Sequence, residues 1–132
     1  MSVKYKVAST YAPGAGKEGS KVWFPKITGT QRVDIREVAR LIQRNSSATE
    51  GDVLMIVNGL VQLIPELLMQ GCTVNLDELG TFSLHASVQS VDAPDKVNSR
   101  MINAVKMRFR PSKRIQKELK GAKFVKVSDD DK

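Results

Sequence analysis

Leu76-Asp77-Glu78-Leu79-Gly80-Thr81-Phe82-Ser83-Leu84-His85-Ala86-Ser87-Val88 is the stretch on which the fold turns. Phe82, Leu84, Ala86 and Val88 recur with period two, the spacing of a strand with one face turned inward. Val74 and Leu76 begin a strand before them, and Asp77-Glu78-Leu79-Gly80 reads as the turn between the two. Downstream, residues 89–100 are rich in turn formers: Ser90, Asp92, Pro94, Asp95, Asn98 and Ser99. Alternation then resumes. Met101, Asn103, Val105, Met107 and Phe109 hold one parity, and Ile102, Ala104, Lys106, Arg108 and Arg110 hold the other. The pattern predicts a long hairpin whose returning strand concentrates positive charge on one face. A short helix follows from Pro111 to Lys120, with Pro111 suited to its first turn and Gly121 closing it.

Upstream of the hairpin the period is helical. Asp34 followed by Glu37 marks an N-terminus, and Ile35, Val38, Ala39, Leu41 and Ile42 form one apolar face, with Arg36, Arg40 and Arg44 on another. Asn45-Ser46-Ser47-Ala48 breaks this helix, and Thr49 with Asp52 opens a longer one that Gly71 ends. From Val53 to Leu68 that helix is apolar over a wider sector than one small domain buries, so homodimerisation is expected to cover it. Pro65 removes a backbone donor inside it and predicts a kink.

Both ends add strands. In residues 3–8, Val3, Tyr5 and Val7 alternate with Lys4 and Lys6, and Val22, Trp23, Phe24 and Ile27 make residues 21–27 a second strand that Pro25 keeps near a sheet edge. Lys123 to Val127 reads as a last strand, a partner for residues 3–8. The loop between the first two strands, Ala12 to Ser20, is rich in glycine and lysine but lacks the Gly-x-x-x-x-Gly-Lys-Ser/Thr order of a phosphate loop.

Composition narrows the function. The chain has 132 residues, 41% hydrophobic and 27% charged, the size of one domain. Its formal charge of +7 directs it towards anionic partners. That charge is uneven: residues 1–29 carry +4, residues 30–80 carry −3, residues 81–127 carry +8 and the tail 128–132 carries −2. With Cys72 and His85 each alone of their kind, there is no disulfide framework, no metal cluster and no convincing nucleophile–base pair. Both read as structural. No secretory signal is visible and no stretch reaches membrane-span length, so a cytoplasmic protein without cofactor, metal, membrane or small-molecule substrate is expected.

The order of helix, long helix, two strands, hairpin and short basic helix resembles the bacterial HU and integration host factor family of histone-like proteins over about residues 32–120. Leu79-Gly80-Thr81-Phe82 is similar to that family's Gly-Thr-Phe turn, and Phe109-Arg110-Pro111-Ser112-Lys113 to its entry into the last helix. The extra terminal strands, with Arg-Phe-Arg-Pro-Ser-Lys at 108–113, resemble a subgroup of extended HU-related proteins. The resemblance implies an α+β fold built as an intertwined homodimer: two N-terminal helices, a three-stranded sheet with a projecting β-arm, and a short C-terminal helix. It implies residues 1–29 as a strand extension, 30–127 as the HU-like domain and 128–132 as an acidic disordered tail. By the same resemblance, two arms reach around duplex DNA and a proline enters a base step in the minor groove, a mechanism that belongs to HU and integration host factor and is carried over from them.

Pro94 is the arm proline and the candidate wedge; as an ordinary turn proline it carries no such role. The family's Arg-x-Gly-Arg-Asn-Pro is replaced here by Ser90-Val91-Asp92-Ala93-Pro94, followed by Asp95, which predicts a shallower bend. Candidate DNA contacts are Lys96, Arg100, Lys106, Arg108, Arg110, Lys113, Arg114 and Lys117. For Lys106, Arg108 and Arg110, clustering on one strand parity favours phosphate contact over mere solvation. The function expected is non-sequence-specific architectural DNA binding by a nucleoid-associated homodimer. The alternative is an HU-fold dimer serving protein interaction or scaffolding, with weak or no DNA binding.

Overall fold

In a computed structural model, the described residues are 2–14, 16 and 19–128. In chain order the elements are β1 (Val3–Tyr11), β2 (Lys21–Ile27), α1 (Ile35–Asn45), α2 (Glu50–Met69), β3 (Val74–Asn75), β4 (Gly80–Val88), β5 (Ile102–Pro111), α3 (Lys113–Leu119) and β6 (Phe124–Lys126). They divide into two units, residues 1–33 with 118–132, and residues 34–117.

The terminal unit is a three-stranded sheet in the order β2-β1-β6. β1 and β2 are antiparallel, with Tyr5 opposite Ile27 and Tyr11 opposite Lys21, and β6 lies parallel to β1 with Phe124 beside Val3. The three strands and the pairing of the two chain ends are as expected, with β1 running on past residue 8 to Tyr11. The Thr28 N–H donates to the Lys4 carbonyl at 2.9 Å and extends the ladder. Counting back from that bond puts Pro25 where its missing N–H would face the open edge of β2, so the proline costs the sheet no hydrogen bond. Ala12 to Ser20 closes a hairpin between antiparallel strands, with the Ala12 N–H on the Ser20 carbonyl at 2.9 Å, and no helix follows to make a phosphate loop. Lys17 and Glu18 of that loop, and the acidic tail from Asp129, lie outside the described residues.

The second unit begins with the capped helices. The Glu37 N–H donates to Asp34 Oδ1 at 3.0 Å, fixing the start of α1. At α2 the Asp52 N–H donates to Thr49 Oγ1 at 3.1 Å while the Thr49 N–H donates to Asp52 Oδ2 at 3.0 Å, a reciprocal capping box. These bonds hold the Asp52 carboxyl below its ordinary value of 3.8, because both the backbone and the hydroxyl of Thr49 favour its charged form. Gly71, at φ +87°, ends α2: its N–H reaches the Leu68 carbonyl and the Cys72 N–H reaches the Leu67 carbonyl, both at 3.1 Å. α2 continues through Pro65 as one helix of 20 residues. By length and composition it is apolar enough to cross a membrane, which corrects the expectation that no stretch reaches that length. Beyond the first turn, which holds Glu50 and Asp52, its polar residues Asn58, Gln62 and Glu66 fall in one stripe at i, i+4 spacing.

β3, β4 and β5 form the second sheet, in that order. One expectation is corrected in this unit. Pro111 is the last residue of β5, opposite Gly80, and does not enter the helix; α3 begins at Lys113 after Ser112. Phe109 is 43% exposed within one chain. The buried apolar side chains among the described residues are Ala39, Val53, Ile64 and Leu68. On the apolar face of α1, Ala39 is buried while Ile35, Val38, Leu41 and Ile42 are open, as are Ile56 and Leu63 of α2.

Candidate nucleic-acid interface

The β4–β5 ladder sorts the hairpin's side chains by charge. Thr81 opposes Arg110, Ser83 opposes Arg108 and His85 opposes Lys106, all on one face. Phe82 opposite Phe109, Leu84 opposite Met107 and Ala86 opposite Val105 occupy the other. Neither strand carries a carboxylate, so the three cations have only hydroxyls and an imidazole across from them. A bulge interrupts the register beyond Ser87: Ser87 opposes Ala104 while Val88 opposes Ile102, leaving Asn103 as the extra residue. Strict alternation assigns Ile102 to the basic side. The bulge instead returns it to the side of Val88, which is why an apolar residue stands at that parity.

The start of the hairpin is fixed by backbone geometry. Gly80 has φ +146°, and a Cβ there would stand 2.4 Å from the Arg110 carbonyl oxygen and 2.8 Å from the Phe109 ring. Only glycine lets β5 approach β4 so closely at this point. Ser112 then ties the turn to α3. Its Oγ donates to the Glu78 carbonyl and accepts from the Ile115 N–H at 3.2 Å, and its N–H donates to the Leu79 carbonyl at 3.2 Å. Arg114 forms an ion pair with Glu78 in the same turn.

Residues 1–126 match the family model HU-HIG, described as an HU domain fused to wHTH, Ig, or glycine-rich motif. The chain belongs to the HU-HIG family. A crystal structure of a candidate bacterial DNA-binding protein from Bacteroides vulgatus shares its fold, with a TM-score of 0.61 and 13% sequence identity. That match covers 95% of the HU-HIG chain and 48% of the Bacteroides protein, so the chain spans about half the length of that neighbour. No curated protein sequence matches significantly.

Within the HU-HIG chain the predicted contact residues fall into three groups. Lys106, Arg108 and Arg110 are brought together on the polar face of β5. Lys113 and Lys117 lie four residues apart on α3 and are exposed, while Arg114 between them is engaged by Glu78. Lys96, Arg100 and Pro94 lie in the connection between β4 and β5, which folds into two short 3-10 turns, Pro94–Lys96 and Ser99–Met101. There Lys96 Nζ donates to Asp92 Oδ1 at 3.1 Å, so each cancels part of the other's charge. The Arg100 N–H is held by Asn98 Oδ1 at 2.9 Å. Pro94 is exposed at the first position of its turn. Sequence reasoning missed Ser112 and Glu78 as the residues that set α3 on the sheet. A serine directly before Lys113 is the N-cap signal that marks the helix start correctly.

Proposed function

We propose that this chain is a non-sequence-specific architectural protein that binds duplex DNA as a homodimer, through the β4–β5 arm and the sheet at its base. The carrying observation is the alignment of Lys106, Arg108 and Arg110 on one strand face with no carboxylate opposite them. Alternate residues of a strand repeat about every 6.8 Å, close to two rises of about 3.4 Å along one DNA strand. By that spacing such a row meets every second phosphate and reads no base edge, which supports affinity without sequence preference. Membership of a family defined by an HU domain, and the fold shared with a candidate DNA-binding protein, support the same reading. Lys113 and Lys117 extend the contact, and Lys96, Arg100 and Pro94 form the arm tip. A second copy supplies what the open faces of α1 and α2 require: an apolar surface of matching extent. The activity is one of binding, with no chemical step, exercised on nucleoid DNA.

The deciding experiment is a titration of two unrelated duplexes of equal length across a series of salt concentrations. Affinity is expected to fall steeply and linearly on logarithmic axes, with the same slope for both duplexes. Absence of binding at low salt overturns the proposal.

A further inference from the structure

The terminal sheet also separates its side chains. Tyr5, Val7, Trp23, Pro25 and Ile27 share one face with Phe124, where they line a groove of about 770 Å³. The opposite face carries Lys4 and Lys6 of β1 and Lys26 of β2, with Val22, Phe24 and Val125 beside them, while Lys21 and Lys126 lie on the groove side. β1, β2 and β6 contain lysines and no carboxylate. Lys6 and Lys26 are direct partners across the antiparallel ladder, and Lys4 is one alternate position further along β1. All three are exposed, and among the described residues none has an acidic partner.

Two like charges directly opposite each other destabilise a ladder. Lysine on an edge strand has an ordinary explanation, since it blocks pairing with other chains. That explanation covers Lys26 but not Lys4, which has β2 on one side and β6 on the other; Lys6 lies one residue past the end of the β6 ladder. Solubility alone does not require two lysines in register, since an acid opposite a lysine serves it as well and stabilises the sheet. The arrangement is what a surface for a row of anionic groups requires: alternate positions on one strand and the facing position on the next. We propose that the Lys4–Lys6–Lys26 face is a second phosphate-binding surface for duplex DNA, used in addition to the β5 row. The inference rests on the DNA-binding reading above and deepens it by giving the terminal sheet a direct part in binding. Lys4, Lys6 and Lys26 are three of the five basic residues within residues 1–29.

The test uses the full chain and a fluorescently labelled generic duplex. Replacing the three lysines together (Lys4→Gln, Lys6→Gln, Lys26→Gln) is expected to weaken binding at low salt at least about tenfold and to lower the salt slope by about 2–3, near 0.9 for each phosphate no longer neutralised. Lys26→Glu alone separates binding from structure. It places a carboxylate opposite Lys6, so it is expected to raise the melting temperature while weakening DNA binding. A triple variant that keeps the wild-type slope, while the wild-type protein binds DNA, overturns this inference and leaves the DNA-binding reading standing. A fall in melting temperature for Lys26→Glu overturns the argument from the opposed lysines. A wild-type protein that binds no duplex overturns both readings together.

Discussion

Phe82 and Phe109 face each other across the β4–β5 ladder with ring centroids 4.9 Å apart and planes tilted by 37°. Gly80 lies two residues before Phe82, where an added Cβ would meet the Phe109 ring at 2.8 Å. The aromatic pair and the glycine therefore form one device: the glycine lets the strands close and the rings lock their register. The same register sets Arg108 and Arg110 side by side on the opposite face. Gly80→Ala is expected to cost at least about 2 kcal/mol, from unfavourable backbone conformation and the clash with the Arg110 carbonyl. Urea denaturation checks it, and a variant within about 0.5 kcal/mol of wild type refutes the device.

Much of this was legible in the sequence because its signals are local. Asp34 with Glu37, Thr49 with Asp52, and Gly71 mark helix ends through bonds within a few residues, and each stands where the pattern puts it. Period two found β1, β4 and β5 for the same reason, and an apolar run found β2. The departures come from what a residue meets at long range. Pro111 looks like a helix opener until Gly80 pairs with it, and Ile102 looks misplaced until the bulge at Asn103 turns it. The charges of Lys96 and Arg114 are plain in the sequence, but their engagement by Asp92 and Glu78 is not.

The open helical faces predict the behaviour of the second copy. Ile56 is 58% and Leu63 49% exposed, seven residues apart on one side of α2. Ile56→Glu with Leu63→Glu is expected to convert a dimer at micromolar concentration into a monomer of lower stability, because two carboxylates would be taken out of water without partners. Sedimentation equilibrium measures this. A well-folded wild-type monomer at the same concentration refutes the homodimer.

The capping box at α2 gives a pH dependence of definite sign. Asp52 has a carboxyl held below 3.8 in the folded chain, so the stability it contributes is present above that value and is lost as pH falls through the lower folded value. Thr49→Ala removes the hydroxyl bond to the Asp52 N–H and is expected to cost about 1 kcal/mol at neutral pH. The melting-temperature gap between wild type and Thr49→Ala should narrow on acidification below 3.8. A gap that widens in acid contradicts the assigned cause.

Position of charge, not its total, should govern DNA affinity. Neutralising Lys106, Arg108 and Arg110 together is expected to weaken binding equally for all sequences and to lower the salt slope by about 0.9 for each phosphate they engage. Neutralising Arg36, Arg40 and Arg44 removes the same charge from α1, where Arg40 is already paired with Glu37, and should do much less. Equal effects from the two sets would show that only net charge matters.

Bending is where this chain should differ from other HU-like proteins. Driving a side chain between base pairs costs a few kcal/mol of unstacking, which wrapped phosphate contacts must offset. Pro94 stands between Asp92 and Asp95, and Lys96, the nearest cation, already shares its charge with Asp92. Asp95 therefore approaches the duplex with its own charge uncompensated by that pair, and the arm tip has little attraction to set against a sharp kink. The expected bend is shallow and depends on the β5 row more than on the tip. Energy transfer between the ends of a short labelled duplex measures it. If Pro94 acts as a wedge, Pro94→Ala should reduce the bend while leaving the salt slope unchanged, since the proline ring neutralises no phosphate. Asp92→Asn with Asp95→Asn should deepen the bend by removing the repulsion. A sharp wild-type kink that vanishes in Pro94→Ala and is indifferent to the two aspartates would show that insertion is driven by the apolar ring alone.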